Sequence, residues 1–271
     1  MKYNIRHHTI YRYSEPLRRS VNEIRLTPRS GPLQSVQAWE VHVPGRLSRA
    51  RDGFGNVVHS FTVTGADVID ITATGQVEAD GAGAGGIFRE RAAPGESLVS
   101  PLYYLCATPL TTAPDDMRSF AAPYLAGGVD VPALLALAAA ICVRVRYKAS
   151  TTDVGTSAAQ AFDLGLGVCQ DQAQVMVAIC RAFGIPARYV SGYFYDPAAT
   201  EMASHAWADI CLDVGREAWC SVDVTHQCVT DHRHVRLAVG RDYQAAAPVR
   251  GIREGGSAET LEVIVSILPA F

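Results

Sequence analysis

The chain has 271 residues, of which 48% are hydrophobic and 19% are charged, with 23 glycines and 14 prolines. This composition is typical of a globular protein of one large or two ordinary domains, and it excludes a collagen, a wholly disordered chain and a long coiled coil. The formal charge is −3 at pH 7, so the overall charge predicts neither nucleic-acid binding nor attraction to an anionic membrane.

The first part of the chain favours β-strands. Short runs of β-branched and aromatic residues, such as 36–43 and 57–63, alternate with turn signals at 28–32 and 52–56. A glycine-rich stretch at 81–86 is typical of a flexible loop or linker. We therefore predict an antiparallel β domain over residues 1–95, a sandwich or a barrel-like unit, whose first 60 residues carry ten Lys and Arg residues against four Asp and Glu residues.

The remainder favours helices followed by strands. Helices are predicted at 115–122, at 133–143 and at 169–183, where Gly184 and Pro186 supply stop signals. Apolar residues of the third helix recur at helical spacing and predict one buried stripe. Strands follow, with period two, at 189–195, 205–212 and 219–223. The second domain is therefore predicted over 96–271, and its final strand, 260–268, could pack on either domain.

Seven cysteines are scattered along the chain without close, regular pairs, which argues against a disulfide framework. The segment 1–8 lacks the apolar core of a secretion signal, and no apolar run reaches the roughly 18 residues of a spanning helix. We expect free thiols, a reducing cytoplasmic location and no membrane partner.

Cys169 is the candidate nucleophile among these thiols. It begins the third predicted helix, where unpaired N–H groups and the helix dipole favour the thiolate form. Glycines at 165 and 167 would let a substrate approach closely. The alternative is that Cys169 is a small buried residue that happens to begin a helix.

His205 and Asp223 are the candidate partners of this thiol. If the strands 205–212 and 219–223 form a hairpin centred on Val214, His205 lies directly opposite Asp223 and Trp207 opposite Ser221. The imidazole and the carboxylate could then form a hydrogen bond, whereas a slip of one residue would separate them. Trp207 shares the face of His205 and is a predicted substrate-site residue that would shield the thiol from water.

A thiol, an imidazole and a carboxylate in these roles form a nucleophile, its base and the group that orients the base. The backbone N–H of Cys169 could supply half of an oxyanion hole. The expected reaction is acyl transfer from an amide through a thioester.

Four blocks of sequence resemble the bacterial transglutaminase-like proteins, which are often described as cysteine proteases. These blocks are 167–171, 184–193, 204–208 and 234–243, and segments 11–28 and 52–56 resemble the β-rich N-terminal domain that accompanies the family. The resemblance implies an α+β fold, in which a papain-like transglutaminase core follows an antiparallel β domain. It places the catalytic residues of the family on Cys169, His205 and Asp223.

Two short segments depart from the family pattern. After Cys-Gln-Asp this chain has Gln172-Ala173-Gln174 where Phe-Ala-His is usual, and after Asp223 it has Val224-Thr225-His226 where Pro-Thr-Asn is usual. These changes bear on the walls of the site and on substrate preference.

Several functional alternatives stay open from sequence. Hydrolysis of a peptide, protein or small amide substrate is favoured, with transamidation to an amine and a non-catalytic binding protein as the alternatives. The histidines of 226–234, with Cys220 upstream, suggest zinc, but their spacing differs from that of familiar zinc modules, so we expect a polar surface loop. We expect no cofactor and no metal. The oligomeric state is open.

Overall fold

The computed structural model describes residues 1–81, 83, 85–90, 98–199 and 202–270. The strands are β1 (Lys2–Tyr13), β2 (Leu17–Thr27), β3 (Gln34–His42), β4 (Ser48–Arg51), β5 (Val57–Val63), β6 (Val68–Ala79), β7 (Ile87–Arg89), β8 (Arg146–Tyr147), β9 (Leu166–Gly167), β10 (Ala187–Phe194), β11 (Ser204–Asp213), β12 (Ala218–Asp223), β13 (Cys228–Val229), β14 (His234–Gly240), β15 (Val249–Gly255) and β16 (Glu259–Ala270). The helices are α1 (Asp115–Leu125), α2 (Val131–Arg144), α3 (Ala158–Leu164), α4 (Cys169–Ala182) and α5 (Tyr243–Ala246), and two short 3-10 helices span Pro101–Leu105 and Pro109–Thr111. Among these helices, none combines the length and apolar character needed to cross a membrane.

Two four-stranded antiparallel sheets form the N-terminal unit. Their strand orders are β16-β1-β6-β3 and β15-β2-β5-β4. Alternate residues of both sheets, such as Ile5, Ile71, Ile24 and Phe61, point into one shared core. The predicted antiparallel β domain is confirmed, and it is a sandwich.

The central sheet has the order β13-β12-β11-β10-β14, with β7 also paired to β12. Helix α4 packs on β10 and β11, and α1, α2 and α3 surround it. The expected α+β arrangement, with a helix that begins at Cys169 packed on an antiparallel sheet, is confirmed.

Strand pairing crosses the predicted division near residue 95 in both directions. Strand β7 lies before residue 95 yet pairs with β12 of the central sheet, and β15 and β16 lie after residue 96 yet pair with β2 and β1 of the sandwich. The final strand therefore packs on the N-terminal unit, because β1 offers it a free edge along twelve residues. The predicted boundary near residue 95 lies outside the described residues.

Helix α4 is more deeply buried than a single apolar stripe predicts. Every residue from 171 to 181 is buried, including Gln172 and Gln174. The side-chain amides donate to the carbonyl groups of Val145 and Thr156, respectively, and this satisfies polar atoms that would otherwise be costly to bury. The helix ends where the sequence predicts, because Gly184 adopts a left-handed φ of 73° that lets the following N–H reach back to the helix.

Candidate functional site

Cys169 is the first residue of α4, at the helix end where backbone N–H groups lack partners within the helix. Strand β9 leads into it and pairs in parallel with β8, so Gly167 lies opposite Tyr147. A Cβ atom at Gly167 would lie 2.7 Å from the Cβ atom of Asp171, which is too close for a side chain. Cys169 is partly exposed. The backbone before Cys169 is thus closely packed, whereas Cys169 itself is partly exposed.

Asp171 fixes the turn that carries Cys169. Its Oδ2 atom accepts hydrogen bonds from the backbone N–H of Val168 and from the hydroxyl of Thr152, both at 2.7 Å. Burial raises the pKa of this carboxyl group, and the hydrogen bonds oppose the rise. Sequence reasoning missed this role, although an acidic residue in the first turn of a helix is a recognisable capping signal.

His205 and Asp223 meet, but in a different register from the one predicted. The structure pairs Asp209 with Ser221 and Ile210 with Cys220, which is two residues away from the predicted pairing. The connecting loop has four residues, 214–217, and a bulge precedes it. A shift of two keeps each side chain on its face. His205 Nε2 therefore still lies 2.7 Å from Asp223 Oδ2, across a diagonal of the hairpin.

Asp223 binds three imidazoles rather than one. Its Oδ2 atom lies 2.7 Å from His205 Nε2, 2.7 Å from His226 Nδ1 and 3.0 Å from His234 Nε2. The side chain is fully buried. Burial by itself would raise the pKa of Asp223, but hydrogen bonds from the three imidazoles hold it well below its usual range. The carboxylate is therefore charged at neutral pH.

The imidazole of His205 interacts with both candidate partners. Burial disfavours its charged form, but hydrogen bonds to Asp223 and to Cys169 raise the pKa of His205 to about 10. Because Nε2 donates to the carboxylate, Nδ1 is the atom left for the sulfur. We assign these two contacts from the hydrogen-bond network. The imidazolium is consequently the stable form of His205 at neutral pH.

His226 and His234 are the residues of the candidate site that sequence reasoning missed. The expectation of a polar surface loop over 226–234 is wrong for His234, which is 5% exposed and begins β14. The His226 ring stacks on Phe194, with centroids 4.0 Å apart. The short spacing from Asp223 to His226 was a usable signal, because an aspartate carboxylate can close a turn by accepting the backbone N–H a few residues on, as Asp223 Oδ1 does from His226. His234 comes from a strand distant in sequence, and no local signal marks it.

The two segments that depart from the family pattern, 172–174 and 224–226, are in contact. Thr225, in the segment after Asp223, donates its hydroxyl hydrogen to Oε1 of Gln172 at 2.7 Å. Gln172 also donates to the carbonyl group of Val145. Hydrogen bonds of Gln172 therefore connect α4 to the turn that follows Asp223. Phenylalanine is the usual residue at the position of Gln172.

Trp207 is 1% exposed and packs beside Val190, Val239 and Phe54. Its ring centroid lies 6.1 Å from that of His205. Burial of this degree leaves Trp207 no surface for direct contact with a substrate. The role of Trp207 at the site stays a prediction. It consists of packing against His205 and excluding water from behind the imidazole ring.

The geometry also bears on metal binding. The ligand atoms of His205, Asp223 and His234 lie within 4.8 Å of one another. Two of these contacts, at 2.7 and 3.0 Å, are hydrogen-bond distances between imidazole N–H groups and the carboxylate, and metal binding would require these protons to leave. The arrangement fits a hydrogen-bonded network better than a metal centre.

Comparisons with known proteins match two family models and several relatives. Residues 121–224 match the model of the transglutaminase-like superfamily, and residues 3–78 match the bacterial transglutaminase-like N-terminal region. An uncharacterized protein of Mycobacterium tuberculosis is 31% identical over 298 residues, which cover 99% of this chain and 93% of that protein. An uncharacterized protein of Mycobacterium leprae is also 31% identical, over 96% of both chains.

Two further relatives carry functional names. A protein-glutamine gamma-glutamyltransferase of Pseudomonas aeruginosa is 33% identical over 107 residues, which cover 35% of this chain and 16% of that protein. A crystal structure from Cytophaga hutchinsonii, named "Putative Cysteine Protease", superposes with a TM-score of 0.73 at 21% identity, over 100% of this chain and 92% of that one. At this identity the likeness shows the fold alone.

Proposed function

Because the chain belongs to the transglutaminase-like superfamily and carries its bacterial N-terminal region, we propose that it is a thiol enzyme that cleaves an amide or peptide bond through a thioester on Cys169. The observation that carries the proposal is the connected line of Cys169, His205 and Asp223, in which a buried carboxylate holds an imidazolium beside a partly exposed thiol.

Each residue has a defined step. Cys169 sulfur attacks the carbonyl carbon of the amide, and His205 donates its proton to the leaving amine. The backbone N–H of Cys169, at the start of α4, stabilises the oxyanion that forms. His205 then removes a proton from water, which attacks the thioester and releases the acid. Asp223 keeps the imidazole oriented throughout and stabilises its charged form.

Transamidation is the second candidate function. The similarity to the gamma-glutamyltransferase of Pseudomonas aeruginosa covers 35% of this chain and favours an amine as the acceptor of the acyl group. The chemistry on Cys169 is the same up to the thioester, and only the second nucleophile differs. Hydrolysis is preferred because water is present at about 55 M, and a competing amine would need a site that excludes it.

The acceptor can be identified by product analysis. Wild-type protein and a Cys169→Ala variant are incubated with glutamine-containing peptides and small amides in isotope-labelled water, with and without glycine methyl ester. We expect Cys169-dependent acids that carry the water label, and an amide of the added amine would instead establish transamidation. If neither product depends on Cys169 for any donor, the proposed thioester chemistry is contradicted.

Selective alkylation tests the state of the thiol. Because the imidazolium of His205 lies beside Cys169, we expect iodoacetamide to modify Cys169 at pH 6 at least tenfold faster than the exposed Cys106. Cys180 and Cys220 serve as internal controls, since burial raises the pKa of each to about 12 and should leave both unmodified. Equal rates at Cys169 and Cys106, read by peptide mass spectrometry, would contradict the proposed mechanism.

The reducing cytoplasm stays our proposed location, and peptides, proteins or small amides our proposed substrates. All seven cysteines, each in the described part of the chain, are free. Free thiols of this number are typical of a reducing compartment.

A further inference from the structure

Side chains of the N-terminal unit pair with the edge of β14 that faces away from β10. Among the described strands of the central sheet, β14 is the last, so no strand lies beside this edge. The amide of Gln34 lies against Arg236, where Oε1 accepts from the backbone N–H at 2.7 Å and Nε2 donates to the carbonyl oxygen at 2.8 Å. Asn56 makes the same pair of bonds with Val239, at 2.8 and 2.7 Å. Each amide therefore takes the place of a neighbouring backbone.

The two amides flank a β-bulge in β14. Ser191 and Gly192 are consecutive in β10, but their partners in β14 are Ala238 and Arg236, so Leu237 is the extra residue. A bulge disrupts the regular ladder at this point and re-aims the side chains beside it. The two amides hold β14 from its other edge, one on each side of the extra residue.

The bulge places His234 on the face of the central sheet that carries the candidate site. His234 bonds to Asp223, and its ring centroid lies 5.4 Å from that of Trp207. Val239 also packs against Trp207. Residues 234 and 239 are an odd number of positions apart, so a regular strand would put their side chains on opposite faces. The extra residue brings both to one face, and without it His234 would turn away from Asp223.

Asn56 belongs to the segment 52–56, which resembles the N-terminal domain of the family. Asp52 holds the side chain of Asn56 in place, because Oδ2 of the aspartate accepts from Nδ2 at 2.9 Å. Phe54 of the same segment packs against the cluster that contains Trp207. The segment therefore supports β14 and the wall behind the candidate site together.

We propose that Gln34 and Asn56 are positioning residues of the candidate site, which fix the bulge of β14 and thereby keep His234 on Asp223. Both side chains are buried, at 3% and 5% exposed, so water does not compete for their hydrogen bonds. His234 supplies one of the three hydrogen bonds that hold the carboxylate of Asp223 beside His205. The effect on catalysis rests on the proposed function, whereas the effect on His234 does not.

Gln34 offers the sharper test, because methionine keeps most of the side-chain volume and cannot form the two hydrogen bonds to Arg236. The matched control is Gln37→Met, since Gln37 is an exposed residue of the same strand that bonds to the hydroxyl of Ser35. In protein labelled with ¹⁵N-histidine, a His234→Gln variant assigns the Nε2–H resonance of His234. We expect this resonance to shift in Gln34→Met and its proton to exchange with water about tenfold faster than in the wild-type protein. The control should leave the resonance unchanged.

Kinetics with the glutamine-containing peptides give a second readout. We expect Gln34→Met to lower kcat about tenfold and to change KM less than about twofold, because His234 acts through Asp223 on the reacting groups and not on substrate binding. Gln34→Glu keeps the acceptor for the N–H of Arg236 and loses the donor, so we expect smaller changes in both readouts.

Three results would overturn the proposal: an unmoved His234 resonance in both Gln34 variants, an equal shift in Gln37→Met, or a wild-type kcat in Gln34→Met. If Gln34→Met does not fold, Gln34→Glu decides by the same criteria. If the wild-type protein turns over no peptide, the proposed function fails, and the His234 resonance alone decides whether Gln34 positions this imidazole.

Discussion

An Asp223→Asn variant is expected to cleave amides about 10³–10⁴-fold more slowly than the wild-type protein, while it keeps its fold. The change preserves the shape of the side chain but removes the charge that three imidazoles share. The asparagine amide can present an N–H where His205 requires an acceptor, and the imidazolium of His205 then loses its counter-ion.

The matched control is Asp231→Asn. Asp231 also contacts His234, at 3.2 Å, but it is partly exposed and does not contact His205. We expect its replacement to change the rate by less than about threefold, consistent with the small worth of partly exposed pairs. Similar losses in both variants would mean that the carboxylate acts only by holding His234 and the fold, and that the proposed role of Asp223 is wrong.

The stability of the Asp223→Asn variant should differ from that of the wild-type protein in a way that depends on pH. The pKa of His205 is raised to about 10 in the folded protein, above its unfolded value of about 6.5. The contribution of the charged His205 to the free energy of unfolding is therefore complete below about pH 6.5 and is lost as the pH rises through about 10. We expect the difference in free energy of unfolding between wild type and Asp223→Asn, measured with urea, to narrow over this range. A constant difference would argue against an imidazolium at this position.

An Asp209→Ala variant is expected to lose about 3–5 kcal/mol of folding stability. Asp209 is fully buried, and its carboxylate accepts hydrogen bonds from Arg188, from Arg236 and from the hydroxyl of Ser221. Arg188 also pairs with Glu90, at 2.6 Å. Removal of the carboxylate leaves the positive charges of Arg188 and Arg236 without their full negative counterpart in the protein interior. Such an uncompensated buried charge lowers the free energy of unfolding.

An exposed ion pair provides the comparison. Arg18 and Glu254 join β2 to β15 at 3.0 Å, but their side chains are 78% and 66% exposed. We expect Glu254→Ala to change the free energy of unfolding by less than about 1 kcal/mol. Chemical denaturation of the two variants at one pH gives both values. A loss below about 1 kcal/mol for Asp209→Ala would show that the network is not needed for stability.

The ion-pair network of Asp209, Arg188, Arg236 and Glu90 also positions part of the candidate site. Asp209, Trp207 and His205 alternate along β11 and share one face of the strand. The network ties β11 to β10 and β14 and, through Glu90, to the segment that follows β7. The buried charges therefore fix the strand from which His205 extends toward Asp223.

Local sequence signals were sufficient for several features. The start and stop of α4 followed from Cys169, Gly184 and Pro186, because capping and helix termination depend on residues close in sequence. The faces of His205 and Asp223 followed from the alternation of the strands, which survived an error of two residues in the register. The resemblance to the transglutaminase-like family followed from short blocks in the correct order.

Other strands carried no local signal. All four residues of β4 are exposed, and β15 is exposed along nearly its whole length. Neither segment alternates between apolar and polar residues, so periodicity could not identify them. They are strands because the edges of β5 and β2 offer backbone partners.

By itself, the sequence determined the fold class, the helix that begins at Cys169 and the face of the hairpin that carries His205 and Asp223. These features depend on periodicity and capping, which act over a few residues. Only the tertiary structure decided that β16 returns to β1, that His234 joins Asp223 and that Gln34 pairs with the edge of β14. Each of these depends on contacts between segments far apart in the chain, whose partners no local pattern specifies.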